Sequence, residues 1–269
     1  MKLREKFWLW GHPEGCYNNA YGNTCISRMT PMEACLYLGV RNLFMVPDGE
    51  HNGTTVNRRQ YNKTFTTLSA TGWEIFGADR NPEKVEQLIR EAKEFSNIKA
   101  AVFDDFYGQS KKRMEAGEQV NYEKLWDIRR RLNTNEVRHL DMWMVLYTHE
   151  FGENAEDDEK FQKFIDPFDG IIMWTWCEKD LPLIPGKFEA FKKITPNQRR
   201  MIGCYLWNFG EKKPATAEAV TWQLDWYREK LLAGEIEGVV LHTNTMADLD
   251  LEAYDAAVAW MDAHGDEEV

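Results

Sequence analysis

The sequence predicts an α/β protein built as a single (β/α)8 TIM barrel over residues 1–269, with a long loop after the first strand. Short apolar runs alternate with amphipathic helical segments eight times along the chain. The runs are almost continuously apolar, as expected for parallel strands buried on both faces. A length of 269 residues is also typical of one such barrel. A doubly wound sheet is disfavoured because no G-x-G-x-x-G sequence follows any predicted strand.

The eight predicted strands are apolar runs with polar or turn-forming residues at their ends. They are residues 7–11, 42–47, 73–78, 99–103, 141–147, 170–176, 201–207 and 238–243. The long polar segment at 11–28 follows the first strand, and we expect it to fold over the barrel rim and help to bind a ligand.

Seven predicted helices follow from apolar residues at helical spacing. They are residues 30–40, 81–95, 121–132, 159–168, 187–194, 216–234 and 251–265. Asn81 and Pro82 mark the start of the second of these, because asparagine caps helices and proline suits the first turn. An eighth helix is expected within 54–70, although this segment is rich in threonine, which has low helix propensity.

The composition limits the classes of partner. A net charge of −11 without a basic stripe disfavours nucleic acid, and the basic residues 111–113 are interpreted as a solvated face. No apolar run approaches the roughly 20 residues that span a bilayer, so no membrane partner is predicted. Five cysteines without a C-x-x-C pair favour a reducing, cytoplasmic compartment over a disulfide framework.

Polar side chains collect at the carboxyl ends of the predicted strands, where barrels of this kind carry their active sites. The fourth strand ends in two adjacent carboxylates, Asp104 and Asp105, within AVFDDFYG. Tryptophan rings near other strand ends suit stacking on the apolar face of a sugar, whose hydroxyl groups bind acids and amides. The expected substrate-binding residues are His12, Glu14, Asp48, Glu50, His51, Asp79, Tyr107, His149, Trp174, Trp176, Trp207, Asn208, His242 and Asn244.

These residues favour a carbohydrate-active hydrolase acting on a small or oligomeric saccharide, because glycoside hydrolysis needs two carboxyl groups across the scissile bond. If the fourth strand is regular to its end, alternation lets only one of Asp104 and Asp105 face the lumen. Asp104 is then favoured as the catalytic group and Asp105 as a supporting one. The second catalytic group stays open among the carboxylates Glu150 and Glu178 and the histidines His12, His149 and His242.

Two other interpretations remain. A metal-dependent sugar isomerase, epimerase or lyase would collect acids and histidines from several strand ends, here Glu50, Asp79, Asp105, His149 and Glu150. A non-catalytic sugar-binding barrel is the other. The hydrolase interpretation needs no cofactor. A serine nucleophile is disfavoured because no G-x-S-x-G occurs, and phosphorylated sugars are disfavoured because the loops after the last two strands lack a glycine-rich sequence.

The sequence resembles the TIM-barrel glycoside hydrolases in its acid-ended fourth strand, AVFDDFYG, and its tryptophan-rich sixth strand, IIMWTW. The resemblance implies a catalytic aspartate at Asp104 or Asp105 and another acid at Glu178. The chain departs from these enzymes in three ways. The fourth strand has no Asn-Glu pair, no glutamate ends the seventh strand, and the D-x-x-D-x-D-x-E run of chitinase-like barrels is absent.

Overall fold

A computed structural model of the chain describes residues 1–47 and 56–269. Eight parallel strands close into a barrel in which each strand pairs with its neighbours in sequence and the last pairs with the first. The predicted (β/α)8 barrel is therefore confirmed. The strands are β1 (Phe7–Gly11), β2 (Asn42–Met45), β3 (Ala70–Glu74), β4 (Ile98–Phe103), β5 (Asp141–Tyr147), β6 (Gly170–Trp174), β7 (Arg199–Tyr205) and β8 (Gly238–His242).

The helices surround this barrel and connect its strands. They are α1 (Pro31–Tyr37), α2 (Arg58–Thr64), α3 (Glu83–Glu94), α4 (Phe106–Glu115), α5 (Glu123–Asn133), α6 (Ala155–Phe161), α7 (Ile184–Ile194), α8 (Ala217–Leu232) and α9 (Glu252–His264). Along the residues that the structure describes, no helix is long and apolar enough to cross a membrane.

Several elements differ from those predicted, among them the helix expected at 159–168, which is Ala155–Phe161 in the structure. The third strand was expected at 73–78 but is Ala70–Glu74, because a glycine and a threonine at its start hide the strand pattern. Helix α4 was missed, because its run of glycine, serine and basic residues has no clear apolar stripe. The seventh strand ends at Tyr205, and Trp207–Asn208 instead pairs with Lys213–Pro214 in a short antiparallel hairpin.

Large aromatic rings fill the barrel interior by lying over glycines of the next strand. Trp143 of β5 pairs with Gly170 of β6, and a Cβ added at Gly170 would lie 2.2 Å from Cζ3 of Trp143. One layer higher, a Cβ at Gly203 would lie 2.0 Å from Cε3 of Trp174. The glycines therefore leave the space that these indoles occupy. This packing fixes the Trp174 ring directly below the carboxyl ends of the strands.

Candidate active site

A cavity of about 140 Å³ lies at the carboxyl ends of the strands. Its walls are mostly aromatic and include the two carboxylates of Asp104 and Asp105. The remaining lining residues come from β1 and its loop (Trp10, His12, Tyr17, Tyr21), from β5 and β6 (Tyr147, Trp174, Trp176) and from β7 and β8 (Tyr205, Phe209, His242).

A more open cleft of about 620 Å³ adjoins this cavity and shares Asp105, Tyr147 and Trp176 with it. Its volume lies in the range of roughly 300–1,000 Å³ that ligand sites commonly occupy. The cleft is also lined by one face of α4 (Gly108, Gln109, Lys112, Arg113) and by the segment after β5 (His149, Glu150). Lys112 and Arg113, interpreted from sequence as part of a solvated face, thus line a cleft beside the cavity.

Both aspartates of the AVFDDFYG stretch reach the cavity. The strand ends at Phe103, Asp104 lies in a bend, and Asp105 has a left-handed backbone with φ of 52° just before α4 begins. Aspartate is one of the few residues other than glycine that adopts this conformation readily. The fourth strand is therefore not regular to its end, and the expectation that only one of the two aspartates faces the lumen is wrong. The turn lets the carboxylate of Asp105 line the same cavity as that of Asp104.

Glu150 is a mostly buried acid in the cleft. Its Oε2 accepts a hydrogen bond of 2.9 Å from the Tyr147 backbone N–H, and its Oε1 would lie only 2.1 Å from a Cβ added at Gly108. The carboxyl group thus rests against the backbone of α4. Burial raises the pKa of Glu150 to about 7, and the negative charge of Asp105 acts in the same direction. A substantial fraction of this carboxyl carries a proton at neutral pH.

Two tyrosines stand beside the aspartates. Burial raises the pKa of the hydroxyls of both Tyr147 and Tyr205 well above the usual value. The charges of Asp104 and Asp105 raise both further. Both tyrosines therefore stay neutral and keep their hydroxyl protons next to the carboxylates. Sequence reasoning missed them as site residues, although strand alternation places Tyr147 and Tyr205 on the same barrel face as Trp174 and His242.

His12 is held from several sides. Its Nδ1 lies 2.7 Å from the Val46 carbonyl oxygen, which only accepts, so Nδ1 carries a proton; Nε2 lies 3.1 Å from the Tyr17 hydroxyl. Asn244 accepts a 2.7 Å hydrogen bond from the His12 backbone N–H and donates one of 3.0 Å to its carbonyl oxygen. Asn244, expected to bind substrate, is fully buried and instead positions His12.

The other two histidines differ in environment. His242 lines the cavity, and burial lowers its pKa well below the usual value, so its ring is neutral. His149 is exposed in the cleft, where its ring stacks on Tyr147 with centroids 5.4 Å apart, and partial desolvation lowers its pKa.

Glu178 lies outside the cavity and the cleft. Its carboxylate accepts hydrogen bonds of 3.0 Å from the backbone N–H and 3.2 Å from the hydroxyl of Thr216, the residue that caps α8. The strand-end position predicted from sequence is correct, but the segment after β6 turns the side chain toward the helix layer. Glu178 therefore supports the start of α8 and is not placed to act on a ligand in the cavity.

Two further acids bind other parts of the protein. Asp79 is buried and lies 3.6 Å from a guanidinium nitrogen of Arg113, and Glu14 accepts a 2.8 Å hydrogen bond from the Tyr61 hydroxyl. Neither lines the cavity or the cleft. The expected ligands Asp48, Glu50 and His51 lie outside the described residues.

Three expected contacts have structural roles. Tyr107 is buried among the helices, with its ring 5.8 Å from that of Phe161. Trp207 donates a 3.0 Å hydrogen bond from Nε1 to the carbonyl oxygen of Tyr21, and Asn208 accepts a 3.4 Å hydrogen bond from the Glu178 backbone. Both hold loops of the rim in place without lining the cavity.

The loop after β1 forms one wall of the cavity. The rings of Tyr17 and Tyr21 pack on Phe209, with centroids 5.1 Å and 5.3 Å away. The hydrogen bond from Trp207 to the Tyr21 carbonyl oxygen attaches the loop to the segment after β7. The long loop therefore lines the cavity through aromatic rings, which composition alone did not single out.

A metal-ligating group occurs elsewhere in the barrel. Within residues 1–47 and 56–269, the one set of three such side chains whose ligand atoms lie within 4.8 Å of one another is His139, Asp141 and Asp169. It lies at the amino end of β5, opposite the cavity, and its acids already pair with Arg199 at 2.6 Å and Arg129 at 2.7 Å. The described members of the metal set expected from sequence form no such group.

Comparison with solved structures shows barrels of similar fold. Two structures of catalytic-site mutants of active domain 2 of chitinase from Pyrococcus furiosus, one complexed with chito-oligosaccharides, match with TM-scores of 0.59 and 0.58 and 12% identity, over 97% of both chains. The PgaB (BpsB) glycoside hydrolase domain from Bordetella bronchiseptica matches with a TM-score of 0.54 and 8% identity, over 94% of this chain and 98% of that one. At these identities the likeness concerns the fold. No protein-family model and no curated protein matches the sequence.

Proposed function

We propose that the protein is a glycoside hydrolase. The observation that carries this proposal is the pairing of an aromatic cavity holding Asp104 and Asp105 with an adjoining cleft in which Glu150 has a pKa of about 7. Glycoside hydrolysis needs one carboxyl group that is protonated at working pH and a second that is ionised. Barrels of similar fold that act on carbohydrates, among them a chitinase domain complexed with chito-oligosaccharides, support a saccharide substrate.

The geometry suggests a role for each group. Glu150 donates its proton to the leaving glycosidic oxygen, because it is the carboxyl group whose pKa is raised toward neutrality. Asp104 attacks the anomeric carbon or activates a water molecule. Asp105 lines both spaces and orients the saccharide where it passes from one to the other. One sugar unit occupies the cavity against Trp174, and the rest of the saccharide lies in the cleft against Trp176.

A panel of aryl glycosides and defined oligosaccharides tests the proposal. We expect at least one to be hydrolysed, with loss of activity in the Glu150→Gln variant. The matched control is Glu178→Gln, which removes a strand-end acid that caps α8 and should keep activity. Tight binding without turnover would instead indicate a sugar-binding barrel. Failure to hydrolyse any panel member, or equal activity in both variants, would refute the proposal.

A cytoplasmic location is part of the same proposal. Cys35 and Cys204 are buried in the barrel as free thiols. This pattern is usual in reducing compartments. Cell fractionation tests it, and recovery of the protein only from an oxidising compartment would contradict it.

A further inference from the structure

Two buried nitrogen atoms at the cavity lack partners. Nε1 of Trp174 and Nδ1 of His242 make no hydrogen bond in the part of the chain that the structure describes. Their side chains are 1% and 5% exposed and both line the cavity, with ring centroids 5.7 Å apart. Buried polar atoms in folded proteins nearly always have partners, so two exceptions on neighbouring rings of one cavity call for a physical reason.

The packing of Trp174 prevents it from finding a partner within the protein. The Gly203 backbone lies directly against the indole, so the ring has no room to turn. On the other side, Tyr205 packs on Trp174 at 4.7 Å and on His242 at 4.8 Å. Both nitrogens therefore stay in place beside the cavity.

The chemistry of the two atoms restricts their partner. An indole N–H only donates, so the group that meets Trp174 must accept a hydrogen bond. A neutral imidazole nitrogen either donates or accepts according to tautomer. A hydroxyl group satisfies both atoms because it accepts and donates. An ammonium group carries three donors and no acceptor, so it leaves the Trp174 N–H unpaired.

We propose that the bottom of the cavity binds the hydroxyl groups of an uncharged sugar through Trp174 and His242, and that it rejects a sugar bearing an ammonium group at that position. This inference rests on the proposed function, since it names the substrate class of the same site. The two nitrogens favour a neutral sugar over an amino sugar. The carboxylates of Asp104 and Asp105 by themselves would favour the opposite, because they attract a cation.

Nuclear magnetic resonance of the full chain tests the inference through the indole N–H signal of Trp174, assigned by its loss in the Trp174→Phe variant. The probes are glucose, galactose and mannose, their monodeoxy derivatives and the corresponding amino sugars. We expect a neutral sugar to shift this signal. The derivative that lacks the bound hydroxyl, and the amino sugar substituted there, should bind about 10- to 100-fold more weakly, the value of one buried hydrogen bond.

Variants separate recognition from folding. Trp174→Phe and His242→Phe should each weaken binding of the neutral sugar by about 10- to 100-fold. Trp143→Phe is the matched control, because its ring also packs against a strand glycine but one layer below the cavity, and it should bind normally.

Three results would overturn the inference: no binding by any neutral probe at saturating concentration, an unchanged Trp174 signal on binding, or amino sugars that bind as tightly as neutral ones. A shifted signal without hydrolysis of any glycoside would remove the proposed function and leave this inference standing. Hydrolysis of a glycoside with an unchanged Trp174 signal would support the proposed function and overturn this inference.

Discussion

Replacing Glu150 by glutamine should abolish a pH dependence of stability that its buried carboxyl creates. The side chain lies against the backbone of α4 at Gly108, and its partial burial there raises the pKa from its ordinary value of 4.5 to about 7. The folded protein thus holds this proton more tightly than the unfolded chain does. Glutamine has the shape of the protonated form and does not titrate.

The size and sign of the effect follow from this pKa. Between pH 4.5 and about 7 the folded state binds more protons at Glu150 than the unfolded state, so the free energy of unfolding falls as pH rises through this range. Each pKa unit is worth about 1.4 kcal/mol, so wild type should lose about 3.5 kcal/mol over the whole range, about 2.5 kcal/mol of it between pH 5 and pH 8, and the glutamine variant should lose none of it. Groups that titrate in both proteins cancel in the difference.

Urea unfolding at about pH 5 and about pH 8 measures the effect, as the difference in unfolding free energy between wild type and Glu150→Gln. The difference should shift by about 2.5 kcal/mol in favour of the variant at the higher pH. Glu178→Gln serves as the control, because its carboxylate caps α8 outside the cleft, and it should show no comparable shift. A difference for Glu150→Gln that is the same at both pH values would refute the reasoning.

Three further predictions follow from other contacts. Asp104→Asn should lower kcat by about 10²- to 10⁴-fold, while the sugar affinity measured by calorimetry stays unchanged. An equal loss of kcat and of affinity would contradict the catalytic role of Asp104. Gly108→Ala should displace the Glu150 carboxyl, which lies 2.1 Å from the added Cβ. The pKa of Glu150, measured by NMR titration, should then lie nearer its ordinary value. Gly186→Ala is the control, because nothing lies within 4 Å of its added Cβ, and it should leave the pKa of Glu150 unchanged. Asn244→Ala should lower the free energy of unfolding by about 2 kcal/mol or more, because the backbone N–H and C=O of the buried His12 lose their partners. An unfolding curve equal to that of wild type would count against this account.

Much of the fold could be predicted from local pattern. Continuous apolar runs identify strands buried on both faces, and the carboxyl ends of parallel strands must meet at one rim. That reasoning placed Trp174, His242 and one aspartate of the doublet at the same rim, and in the structure these residues and the second aspartate line one cavity. It also placed the loop after β1 over the rim, although the tyrosines of that loop that line the cavity were not singled out.

What local pattern left open depends on contacts between residues far apart in the chain. Glu150 and Glu178 look alike in sequence, yet one is buried against Gly108 of α4 and the other caps α8. The left-handed turn at Asp105 brings the second aspartate of the doublet into the cavity.

The sequence by itself determined the barrel, because the period of apolar residues specifies strands and helices, and their alternation along the chain specifies parallel strands. The tertiary structure alone decided which acid is buried enough to hold a proton near neutral pH and which two nitrogens at the cavity lack partners. Those properties depend on the dielectric surroundings and on distances of a few ångströms across neighbouring strands and helices, and these exist only once the barrel has closed.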